Sequence, residues 1–182
     1  MVTRPVLVGL VVASVLLGAG CNSNKPKSAP TGLPLAPSSA APSLGPGTAD
    51  ERDALVAYRG MWSAFVEAAK TSDPEAPDLR KYASDQALKL ISGSLYADRS
   101  NQQVTKGQLL TDPKVTALKP TDVPAEATIV DCVNDEKWLK YKASGELVND
   151  VSGGKHRTTA TVKRTADGWK VASFILREKG TC

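Results

Sequence analysis

The apolar residues of this chain change their spacing once, near Gly107, and that change constrains the fold more than any single motif. Upstream, Leu55, Tyr58, Met61, Trp62, Phe65, Val66 and Ala69 recur at three- and four-residue steps, the period of a helix with one buried face. Thr48 and Glu51 stand in front of them with capping-box spacing. Asp73-Pro74 predicts the end, because the residue before a proline avoids helical geometry. A second helical stretch, in one or two pieces, is predicted from about residue 78 to residue 98 through Leu79, Tyr82, Ala83, Leu88, Ile91 and Leu95, with Gly93 as its weak point. Downstream, residues 115–118, 127–133, 138–143, 157–165 and 169–177 form short runs rich in β-branched or aromatic residues, separated by Pro, Gly, Asn or Asp. Helices followed by a run of antiparallel strands predict an α+β domain, with the N-terminal helices packed on one face of a curved antiparallel sheet.

The last two runs predict the clearest hairpin. A two-residue Asp167-Gly168 turn would put Ala166 opposite Trp169, Arg164 opposite Val171, Val162 opposite Ser173 and Ala160 opposite Ile175. Lys170, Ala172, Phe174 and Leu176 would then share the other face.

Ahead of the domain, Met1 to Arg4 is a short positive start and Val6 to Leu17 an apolar run of 12 positions. A helix needs roughly 20 residues to span a bilayer, so residues 1–20 read as a signal peptide rather than a membrane span. The end of that run, LLGAGC, resembles the lipobox of bacterial lipoproteins, with Gly18 where that family usually has Leu. The resemblance implies diacylation of Cys21 and cleavage just before it. Gly18 and Gly20 also satisfy the small-x-small rule of ordinary signal peptidase, so an unlipidated secreted protein is the competing reading. Two acyl chains hold a protein stably on a membrane where one does so only marginally. The expected location is therefore the outer face of the bacterial cytoplasmic membrane. With Cys21 lipidated, Cys132 and Cys182 remain as an even pair, expected to form a disulfide in an oxidising compartment; the alternative is a buried free Cys132 and an exposed Cys182.

Residues 21–47 read as a lipid-anchored tether, and residues 48–182 as one domain. Residues 22–47 hold six of the twelve prolines and no acidic or aromatic residue, a composition that predicts disorder with a fully extended reach on the order of 80 Å. The overall net charge of +4 does not imply nucleic acid as a partner. Arg4, Lys25 and Lys27 precede the domain, which keeps 20 Lys and Arg against 19 Asp and Glu.

TIVDCV, then KWLKYKASG, then the closing ADGWKV hairpin and a terminal cysteine resemble the cone-shaped domain of the nuclear transport factor two superfamily (SnoaL-like, cystatin cone) over about residues 50 to 182. More narrowly, the chain is similar to actinobacterial-type lipoproteins. In that superfamily the cone serves as an enzyme pocket, a small-ligand pocket or an interaction scaffold, so the resemblance leaves function open.

Chemistry-bearing residues are sparse. His156 is the only histidine, beside Gly153-Gly154-Lys155 in an expected loop, with Asp150 the carboxylate nearest in sequence. No catalytic set, metal site or cofactor is expected, and one histidine with two paired cysteines makes no closed zinc set. Trp138, Lys140 and Lys142 share one face of a predicted strand, suited to a polyanion or to an edge guarded against stray pairing. Tyr82, Tyr96 and Trp138 are the candidate pocket residues, whereas Trp62 and Phe65 are assigned to the core. The expected function is a non-catalytic ligand-binding or protein-interaction module with an unknown small ligand or envelope protein as partner. The alternatives are an enzyme of the polyketide cyclase/dehydratase kind and an accessory of envelope transport or assembly. A pocket containing His156, or a desolvated carboxylate facing an aromatic wall, would favour the enzyme.

Overall fold

The computed structural model describes residues 47–182. Cys21, the predicted signal peptide and the tether up to residue 46 lie outside the described residues. Helix α1 (Ala49–Ala69) starts on the capping box: the Thr48 hydroxyl accepts from the Glu51 N–H at 3.2 Å, and the Glu51 carboxylate accepts from the Thr48 N–H at 2.8 Å. It ends before Pro74 is reached. Ser72 adopts a left-handed conformation (φ 50°), and the Asp73 N–H bonds back to the Ala68 carbonyl at 3.0 Å, closing the helix as glycine usually does. The second helical stretch is two helices, α2 (Pro77–Tyr82) and α3 (Asp85–Ser100). A tertiary contact makes the break: Ala83 bridges Val171, and the Ser84 N–H donates to the Val171 carbonyl at 2.9 Å.

Six strands follow: β1 (Gln103–Gly107), β2 (Lys114–Lys119), β3 (Glu126–Asn134), β4 (Trp138–Lys142), β5 (Lys155–Thr165) and β6 (Gly168–Leu176). The antiparallel main sheet has the order β2-β3-β5-β6, and β1 pairs with β4 in a separate two-stranded ribbon. Sequence periodicity does not indicate β1, a short strand whose pairing partner β4 lies about 35 residues further along the chain. In β3 the alternation is strict, with Ala127, Ile129, Asp131 and Val133 turned to the core. Against that face α1 lays Ala54, Ala57, Tyr58, Met61, Trp62 and Phe65, the alanines letting helix and sheet approach closely.

The hairpin register differs from the expectation. Thr165 faces Gly168, and Val162 faces Val171, so the turn residues are Ala166 and Asp167. The Thr165 hydroxyl fixes the turn, accepting from the Asp167 N–H at 3.2 Å and donating to the Gly168 carbonyl at 2.8 Å, while Gly168 takes φ 104°. A bulge at Ala172 then shifts the pairing, so that Ala160 faces Phe174.

Asp131 is a buried carboxylate in the middle of this core. It accepts from the Tyr58 hydroxyl at 3.0 Å and from the N–H groups of Asp112 and Cys132 at 2.8 and 2.7 Å. Burial, and then the Asp131 charge, push ionisation of the Tyr58 hydroxyl far above the ordinary phenol range. A group whose folded pKa is raised stabilises the fold below its unfolded pKa, about 10 for tyrosine, and that contribution is lost as pH rises beyond it. Stability should therefore fall above about pH 10, with Tyr58→Phe flattening the decline. In an absorbance titration, one of the four tyrosines should ionise only as the domain unfolds.

Cys132 and Cys182 are joined by a disulfide, with Cα atoms 6.0 Å apart. The C-terminal segment lies along the start of β5: the Arg177 N–H donates to the Arg157 carbonyl, the Arg157 N–H to the Thr181 hydroxyl and the Gly180 N–H to the Lys155 carbonyl.

Candidate functional site

Helical spacing puts Trp62 and Phe65 on neighbouring turns of one α1 face, where they begin a row of four rings. The Trp62 ring stands 5.3 Å from Phe174 of β6 and 6.3 Å from Phe65, which meets Trp138 of β4 edge-on at 4.8 Å. These rings wall an open cavity of about 330 Å³, completed by Leu90, Ile91 and Ser94 of α3, Leu109, Val133, Asp135 and Leu176. Ser94 and Asp135 carry the only hydroxyl and the only charge of that lining; no Lys or Arg is part of it.

The strand ends hold Asp135 in place. Its Oδ1 accepts from the Gly154 N–H at 2.6 Å and faces His156 Nε2 at 3.2 Å. Gly153 is packed so closely on that oxygen that a Cβ there would collide with it. His156 is a residue of β5, not of a loop, and its side chain is 13 % exposed. Its carboxylate partner is Asp135 rather than Asp150, because antiparallel pairing sets His156 opposite Val133, two residues before Asp135. The other ring nitrogen, Nδ1, lies 2.8 Å from the Arg177 carbonyl, which only accepts, so Nδ1 carries a proton.

Of the three aromatic residues expected in a pocket, this cavity receives Trp138 alone. Tyr82 packs its ring on Gly60, so closely that a Cβ there would stand 2.6 Å from ring carbons; it makes an α1–α2 contact and lines a separate, smaller pocket with Ser63, Glu67 and Asp78 instead of this cavity. Tyr96 points outward from α3 and is 66 % exposed, because the inward turn positions of that helix are taken by Ile91 and Leu95. Trp62 and Phe65 are both core and wall. Phe174 and Asp135 went unrecognised in the sequence. The bulge at Ala172 changes which face Phe174 occupies, and Asn134-Asp135 reads as turn punctuation between two strands.

The lysines of β4 are engaged by carboxylates. Lys140 pairs with the buried Asp98, and Lys142 stands 3.4 Å from Glu146. The first pair ties Lys140 to α3, whereas Lys142 and Glu146 are both largely exposed. Among the described residues, no three His, Cys, Asp or Glu side chains are grouped to hold a metal ion, and no helix is long and apolar enough to cross a membrane.

No protein-family model matches the chain, and no curated protein matches it. Similar solved structures include the Kfla4162 protein from Kribbella flavida, at 16% identity over 70% of this chain and 90% of that one, with a TM-score of 0.48. An NTF2-like protein with a cystatin-like fold from Novosphingobium aromaticivorans is 16% identical over 72% of this chain and 84% of its own, with a TM-score of 0.43. The intermembrane space region of the chloroplast protein ARC6 is 14% identical over 71% and 98%, with a TM-score of 0.44. Likeness at this level bears on neither ligand nor reaction.

Proposed function

We propose that this protein is a lipid-anchored extracytoplasmic binding module whose ligand site is the aromatic cavity. The observation that supports this reading is the wall itself: four rings and several aliphatic side chains around about 330 Å³, reached by one hydroxyl and one carboxylate. That volume lies at the lower end of the about 300–1,000 Å³ of small-molecule sites. Anchoring rests on LLGAGC and the acyl chains it implies for Cys21, with residues 22–47 as the spacer between lipid and domain. Cys21→Ala should release the protein into the medium or stall its precursor, and intact mass of membrane-extracted protein should include the lipid. An unmodified Cys21 would refute the anchor.

Native mass spectrometry of the full-length protein purified from its host membranes should reveal a bound apolar small molecule, and Trp138→Ala should weaken its retention. A protein captured by crosslinking in intact cells, with the cavity empty, would favour an interaction scaffold instead. One observation favours the enzyme reading: Asp135, a residue of the aromatic cavity wall, stands 3.2 Å from His156, which is itself outside the lining. Turnover in a pure preparation that disappears with His156→Ala would establish that reading over the binding module.

A further inference from the structure

We propose that the cavity takes a compact apolar molecule carrying a protonated amine or quaternary ammonium, its body against the rings and its charge beside Asp135. The proposal deepens the binding reading and depends on it. Aromatic faces carry negative charge density and attract cations, most strongly where water is displaced. Here Trp62, Phe65, Trp138 and Phe174 surround one cavity, and its single charged lining residue is a carboxylate. An anionic headgroup would meet Asp135 as a like charge, with no Lys or Arg of the lining to offset it. Asp135 is a built feature of the wall, held through Oδ1 by the Gly154 N–H and His156, with Gly153 leaving room for that oxygen. Oδ2 receives no hydrogen bond from the described residues, and the side chain retains 27 % exposure. It is therefore available to an incoming cation.

Three probes with one skeleton separate charge from shape: adamantan-1-amine, adamantan-1-ol and adamantane-1-carboxylate, titrated calorimetrically at neutral pH. The protein is the chain from residue 21 onward carrying Cys21→Ala, so that neither lipid nor detergent competes. The amine should bind at least about tenfold tighter than the alcohol, a difference of about 1.4 kcal/mol, and the carboxylate should bind weakest. Asp135→Asn should cut the preference for the amine at least about threefold, the rings supplying what remains, and leave the alcohol within about twofold. Phe174→Leu keeps the carboxylate but removes a ring, and should weaken the amine more than the alcohol, which preserves the test should Asp135→Asn fail to fold. Equal or tighter binding of the alcohol or carboxylate would overturn the cationic assignment while leaving the binding cavity standing. An amine preference undiminished in folded Asp135→Asn would also overturn it. Failure of all three probes to bind would count against the cavity as a ligand site, and this inference would fall with it.

Discussion

Replacing Cys132 and Cys182 together with serine should lower the stability of the domain by about 4 kcal/mol, the chain-entropy value for a closed loop of this size. The two residues are 50 positions apart, so the bridge removes many conformations from the unfolded chain. Cys182 is exposed and Cys132 half-buried, so serine at these positions costs little packing, and the loss should come almost entirely from the missing link. Against a typical margin of about 5–15 kcal/mol, this is a large share. Denaturant unfolding with and without reductant measures it. The wild-type protein under reductant should match the double variant, and the reduced double variant should not change further. The β5 end that holds His156 should loosen first, since the segment lying along it loses its covalent hold. Amide exchange at Arg157 and Gly180, whose N–H groups bond across this contact, should accelerate more than at the centre of the sheet.

Asp131→Ala should be comparably damaging, at about 3–5 kcal/mol, because it leaves the buried Tyr58 hydroxyl and two partly buried backbone N–H groups without their acceptor. Asp131→Asn should cost less. Its amide oxygen can still accept from Asp112 and Cys132 while its NH2 faces Tyr58, leaving one hydroxyl proton unpaired. Tyr58→Phe should cost about 1–3 kcal/mol, and the combined Asp131→Ala, Tyr58→Phe variant should lose less than the two single losses together, because the groups share one bond. Denaturation midpoints at unchanged slope would measure these differences. Additive losses would mean that Tyr58 and Asp131 stabilise the fold independently. The connection through Asp112 ties this core group to the chain leaving Leu109, so some loss of ligand binding should accompany the loss of stability.

Local sequence determined much of the scaffold. Residues 55 to 69 carry a helical stripe that buries Tyr58, Met61, Trp62 and Phe65, and Thr48 with Glu51 satisfies the first turn as its spacing predicts. The β-branched runs were legible as strands for the same reason: each carries its own period and is bounded by turn residues. Contacts between distant segments decided the rest. Ala83 and Ser84 leave the helix because Val171 offers a strand partner, and the turn after α1 is closed by Ser72, whose hydroxyl donates to the carbonyl of Gln103, a residue of the unanticipated β1. The candidate site was the least legible part. Trp138 announces itself as an aromatic residue in a strand, whereas Phe174 reaches the cavity through a bulge and Asp135 through pairing that brings Gly154 and His156 to it. Periodicity records which residues avoid water, a property of each segment alone; which of those residues meet around a cavity, and which carboxylate stands among them, depends on sheet register and is set only when the segments pack together.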